Sequence, residues 1–310
     1  MNADTTFSTL LSLILGAAVL LIAGQLINWH SIFEWLRTER LILRSFLRFM
    51  RHHPGRSVLI ARTYVRMLLR LRTWQPLRAG SALLEHISAV LKGTLILSGE
   101  YAPAPDVYAR NIIYAIEADD PGPDETSRLL ECIRSKTASP SESELDLKRD
   151  SVAMIQILIR NYARRRNREL CTRAALYRHY HLTYYFGIRM FLALIDAHTP
   201  PRKIPGLEEM ITALAHFMPL QTLDADLHSG LINIPEEVLR SAGITPNACT
   251  DAGSCRQYSE VEEWVRQEAL LVADSVARIE QDLLFIENRT VRRSMRYAWR
   301  ELNAHIRRFQ

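Results

Sequence analysis

Two places in the chain gather acidic residues beside turn signals. The first is residues 220–244, LQTLDADLHSGLINIPEEVLRSAGI, where Asp224 and Asp226 precede Gly230 and the apolar run Leu231-Ile232-Asn233-Ile234-Pro235. Gly230 and Pro235 predict the end of one helix, a turn, and a short helix over 236–241. Carboxylates at the C-terminal end of a helix oppose its dipole, so a cation or a special geometry is expected to compensate Asp224 and Asp226 there. The second place is Asp119, Asp120 and Asp124 around Pro121-Gly122-Pro123, which cannot continue a helix. Hard oxygen ligands of this kind suit Mg²⁺. The alternative for this cluster is an acid-rich cap and loop.

Cations and aromatics supply the other chemistry. Arg160, Arg164, Arg165, Arg166 and Arg168 crowd a helix predicted over 151–173. Guanidinium groups hold phosphate oxygens well, so Arg160 and Arg164 are candidates to grip a diphosphate; the alternative is a solvated face. No nucleic-acid recognition motif accompanies them, and nucleic acid is not an expected partner. Residues 175–195, ALYRHYHLTYYFGIRMFLALI, hold Tyr177, Tyr180, Tyr184, Tyr185, Phe186 and Phe191. Such a helix is either core, with its hydroxyls needing partners, or the wall of an apolar cavity whose ring faces attract a cation. On the second reading Tyr180 and Tyr184 line the cavity. His179 and His181 have no carboxylate or Cys at ligand spacing. The four cysteines form no C-x-x-C pair, which argues against zinc. Cys249 and Cys255 share a polar loop and would pair in an oxidising compartment; the topology below predicts a reducing one and free thiols.

The elements that must position these groups are helices. The 310 residues are rich in Leu, Ile, Arg, Glu and Ala, poor in Gly, and nearly without alternating β-branched runs, so the class is all-α. Residues 7–29 are apolar and uncharged, long enough to span a bilayer, and end in Trp29. No Lys or Arg precedes them, unlike a signal peptide. Arg37, Arg40, Arg44, Arg48 and Arg51 follow, so a single-pass anchor with the main domain on the cytoplasmic side is expected. Those arginines, spaced 3 and 4 apart, make residues 30–54 a basic amphipathic helix. An anionic leaflet would attract it by about 1 kcal/mol per basic residue; the alternative is a solvated Arg face with the apolar side packed on the domain. Residues 55–310 then form one helical domain, with further helices expected over 58–74, 79–97, 107–117, near 129–133, over 207–224, from 259 under a Ser259/Glu262 capping box, and over 290–308. Net charge is +5, and no nucleophile elbow, phosphate loop or dinucleotide fingerprint occurs.

The acidic stretch resembles the second aspartate motif of the squalene/phytoene synthase family, in the class I isoprenoid synthase superfamily. That motif has the form D-x-x-x-D, three residues, Gly, then an apolar segment closing in Pro. Asp226, Gly230 and Leu231–Pro235 fall in this register, and Thr222 stands at the first Asp. A second register is similar to the F-Q-x-x-D-D-x-x-D of trans-prenyl diphosphate synthases; Gln221 and Asp224 match, and Ala225 stands at the next Asp. The resemblance covers roughly residues 105–310. It implies a single-domain helical bundle in which Asp224 and Asp226, facing Asp120 and Asp124, hold Mg²⁺ that ionises a prenyl diphosphate for condensation or cyclisation. A prenyl diphosphate or other isoprenoid lipid is the partner the resemblance implies, and the incomplete motifs motivate the alternative of the same fold without catalysis, serving as a membrane-associated binding or assembly protein.

Overall fold

A computed structural model of the protein describes residues 29–52, 75–97, 103–120, 122, 125–137, 146–195, 201–307 and 309. Among them there is no strand, and no helix is long and apolar enough to cross a membrane. The apolar segment before Trp29, the helix expected over 58–74 and Asp124 lie outside the described residues. The chain divides into two units, residues 1–63 and 64–310.

In the first unit, α1 (Trp29–His52) buries Thr38, Ile42 and Ser45. Its exposed stripe alternates Phe33, Leu36, Leu43 and Leu47 with Arg37, Arg40, Arg44 and Arg51. Positions 3 and 4 apart share a helix face, so apolar and cationic groups are displayed together.

The second unit is built from α2 (Gln75–Leu91), α3 (Pro105–Glu117), α4 (Thr126–Thr137), α5 (Leu147–Asn167), α6 (Arg173–Leu194), α7 (Leu207–Gln221), α8 (Leu223–His228), α9 (Glu236–Ser241), α10 (Ala252–Cys255), α11 (Ser259–Asp282) and α12 (Arg289–Ile306). The helix α7 lies against α11, α6 and α12, while α5 packs on α6, α3 and α2. The core between them includes Met210, Ile211, Phe217, Leu220, Trp264 and Val272, each at most 4% exposed. Burying such a side chain is worth about 1.5–3 kcal/mol.

Several expected boundaries move, each for a local reason. Pro76 opens α2 in its first turn, where its missing N–H is unneeded, so α2 starts four residues before position 79; it also ends at Leu91. The helix expected over 151–173 stops at Asn167. Arg168 takes a left-handed conformation (φ 47°), held by its guanidinium on the carbonyls of Pro246 and Cys249 at 2.7 and 2.6 Å. The next helix has its own N-cap, Thr172 accepting from the Ala175 N–H. The Ser259/Glu262 capping box does not form: Ser259 bonds Glu260, and Arg256 takes both Glu262 oxygens at 2.7 and 2.8 Å.

The shift that matters most is at Thr222. Pro219 weakens the last turn of α7, the helix ends at Gln221, and α8 begins at Leu223. Asp224 and Asp226 therefore stand in the first turn of a helix. The dipole that was expected to oppose them favours them instead.

Candidate functional site

After α8 the chain turns at Gly230, whose φ of 83° suits glycine and where a Cβ would stand 3.3 Å from the Arg165 carbonyl oxygen. It then threads Leu231–Pro235 through the interior: Leu231, Ile232, Asn233 and Ile234 are each at most 4% exposed. Just after this segment the start of α9 is tied to the α5–α6 turn, with Glu236 N–H donating to Cys171 O at 2.8 Å and the Glu237 carboxylate accepting from Arg173 N–H.

Asn233 is the hub. Its Nδ2 donates to Asp226 Oδ2 at 2.8 Å and to the Tyr180 hydroxyl at 2.7 Å; its Oδ1 accepts from Arg164 Nη2 at 3.1 Å. Arg164, 1% exposed, also donates to Ile232 O at 2.9 Å. Thr222, at the register position of the missing aspartate, donates its hydroxyl to the same Asp226 oxygen at 2.5 Å. Asp226, Arg164 and Tyr180 stand far apart in the sequence. The fold links them through Asn233, a residue whose polarity inside an apolar run was the available signal.

Burial pushes the Asp226 carboxyl above its ordinary range, opposed by the Thr222 and Asn233 hydrogen bonds and then by the charges of Lys92 and Arg165. Burial lowers Arg165 and Lys92 in turn, and for Lys92 the Arg165 charge adds to the effect. Lys92 is exposed over the residue as a whole, so the burial acting on its ammonium is partial. Tyr180 is raised by burial and by Asp226 and stays a neutral phenol. His179 is lowered to about 4 by burial, then by Arg164 and Arg160, and is a neutral imidazole near pH 7.

The remaining candidates go elsewhere. Asp224 is exposed, accepts from the Ala252 N–H at 3.1 Å and faces His228 at 3.5 Å. Arg160 is spent on an exposed ion pair with Glu169. Tyr184 packs half-buried against the core beside Tyr180. At the end of α3, Asp119 pairs with Lys148 at 3.0 Å, and Arg134 donates to the backbone carbonyl of exposed Asp120. A small apolar pocket lined by Leu83, Ile116, Ile133 and Leu147 lies beside Asp119 and shares no lining residue with the Asn233 network.

Among the described residues no three His, Cys, Asp or Glu side chains converge as a metal centre. Magnesium needs several hard oxygens, whereas the described neighbours that bond Asp226 are a hydroxyl and an amide, with the charges of Lys92 and Arg165 acting on it from beyond ion-pair distance. The described donor set does not fit the ion that the resemblance implies.

Two buried clusters carried no motif. Asp150, 0% exposed, accepts from Arg189 Nε with both oxygens at 3.0 Å, and that guanidinium stands over the Tyr185 ring. His216 meets Glu268, 1% exposed, at 2.6 Å and stacks near Tyr177, whose hydroxyl accepts from Trp264 Nε1. An arginine in the aromatic helix and a glutamate on the apolar face of α11 were the only sequence signs.

The helix order, the aromatic α6 and the Asp226–Gly230–Pro235 segment define a protein with an isoprenoid synthase-like fold of the squalene/phytoene synthase type. The chain is similar to the crystal structure of squalene synthase HpnC from Alicyclobacillus acidocaldarius, with a TM-score of 0.60 over 90% of this chain and 94% of that one. Sequence identity is 14%, so the likeness establishes the fold. No family model and no curated protein matches the sequence.

Proposed function

We propose that the chain is a membrane-associated protein that holds an isoprenoid lipid, such as a prenyl diphosphate, within this fold and does not ionise it. One observation carries the reading. Where the resemblance implies facing carboxylates, Asp226 is bonded by Thr222 and Asn233 and lies in the field of the Lys92 and Arg165 charges. Carboxylates gathered on a metal make the centre electron-rich; here cations outnumber them. The apolar part of the ligand has a partner in α6, where Tyr180, Tyr184, Tyr185, Phe186 and Phe191 are all only partly buried. Anchoring by residues 7–29 and contact of the α1 stripe with an anionic leaflet, the main domain being cytoplasmic, complete the proposal. Exposed Phe33, Leu36, Leu43 and Leu47 among the arginines support it.

The test is incubation of the full chain in detergent with farnesyl and geranylgeranyl diphosphates, with and without Mg²⁺, following pyrophosphate release and ligand binding together. Binding without release is expected. Mg²⁺-dependent release that Asp226→Asn abolishes would instead establish the second reading, a prenyl diphosphate transferase or cyclase. Retention of Asp226 in the register of the family's second motif favours that reading, which needs Asp124 or another carboxylate to join it. A reporter fused after Gln310 should read cytoplasmic.

A further inference from the structure

The buried guanidinium of Arg164 leaves part of itself unused. Its Nη2 serves Ile232 O and Asn233 Oδ1, but Nε and Nη1, both inaccessible to solvent, have no acceptor. Among the described residues no carboxylate bonds it: Asp226 is reached across the Asn233 amide. Its other charged neighbour, Arg160, is committed to Glu169, and His179 beside it is neutral. One turn earlier on the same face of α5, the side-chain oxygen of Asn161 is also buried without a partner. Its amide can rotate to present N–H instead. A buried charge without a counter-ion costs several kcal/mol, and folded chains rarely keep one without a use.

We infer that Arg164, with Asn161 beside it, is an anion site that takes the phosphoryl oxygens of a phosphate or diphosphate group. The position is linked to Tyr180 of α6, whose hydroxyl shares the Asn233 amide with Arg164. An oxyanion bonded to Nε or Nη1 would satisfy the orphaned donors and neutralise the charge in one step, with charge-assisted bonds stronger than neutral ones. The inference rests on the proposed function only for the lipid tail; the anion site itself requires no tail.

The two parts separate experimentally. The full chain in detergent is titrated with inorganic phosphate, pyrophosphate, farnesyl phosphate and farnesol at constant ionic strength, following melting temperature and tryptophan fluorescence. Phosphate or pyrophosphate should raise the melting temperature by several degrees, more than chloride or sulfate does. Arg164→Met removes the buried charge at similar volume. It should weaken pyrophosphate binding by about tenfold or more. If Arg164→Met does not fold, Arg164→Lys keeps the charge and should bind more weakly than wild type. A wild type indifferent to phosphate and pyrophosphate overturns the site, as does an Arg164→Met chain that responds like wild type. A farnesol response without a pyrophosphate response refutes the anion site and leaves the isoprenoid reading standing; the reverse keeps the anion site and removes the isoprenoid.

Discussion

Replacing Asn233 tests the interior directly, because one fully buried amide bonds Asp226, Tyr180 and Arg164. Hydrogen bonds to charged groups are worth about 1.5–3 kcal/mol and neutral ones about 1, so the three together amount to roughly 4–7 kcal/mol. Asp226 retains Thr222 and Arg164 retains Ile232 O, and water can enter the space left by Asn233→Ala. The expected net loss is therefore about 3–4 kcal/mol for alanine. Asn233→Leu fills the same space with apolar atoms, keeps water out and leaves all three partners facing hydrocarbon. It should cost more than alanine in spite of its better packing. Urea denaturation of the full chain, followed by circular dichroism, measures both. A leucine variant more stable than the alanine variant, or either loss below about 1 kcal/mol, would refute the claim that Asn233 satisfies these three groups.

Three further outcomes follow from buried groups. His179, lowered to about 4 by burial and then by Arg164 and Arg160, is neutral when folded but protonates below about 6.5 when unfolded. Stability held above that pH is lost as pH falls toward 4, by about 3 kcal/mol, and His179→Phe should flatten this acid limb in pH-dependent denaturation. Arg189→Met strands the fully buried Asp150 carboxylate and should cost about 3–5 kcal/mol at pH 7. The loss should shrink in acid, where Asp150, already raised by burial, accepts a proton; equal losses at both pH values would contradict its burial as a charge. Cys249, pushed up to about 12 by burial and then by Cys255, should resist iodoacetamide until the chain unfolds, as should Cys255. Partly exposed Cys132 and Cys171 should be alkylated earlier, the order being read by mass spectrometry.

Helix content was legible because sparse Gly and Pro punctuate long apolar periodicities, and Gly230 and Pro235 marked their turns correctly. What the pattern could not show was which end of a helix Asp224 and Asp226 occupy. The stretch 207–228 is apolar-periodic throughout, and the break at Thr222 follows from Pro219, which has no N–H to give the preceding turn. Likewise, the five arginines of α5 look alike in sequence, yet Arg164 is buried, Arg168 caps a helix, Arg165 reaches Ser229 and Arg160 stays at the surface. Burial sorts them, and burial is a property of the packed segment Leu231–Pro235.

The sorting bears on why one aspartate persists where others are absent. Asp226 accepts the Thr222 hydroxyl and the Asn233 amide, and in doing so orients Asn233 so that its oxygen faces Arg164. Without the carboxylate, that amide loses the acceptor that fixes which way it points. Arg164 would then meet a donor as easily as an acceptor. In the proposed reading the carboxylate serves geometry, as the far end of a chain of hydrogen bonds that holds a buried cation in place. On that account Asp226→Asn, which can still accept one bond, should preserve the fold and the anion response. Asp226→Leu should lose both, an outcome that metal chemistry alone does not require.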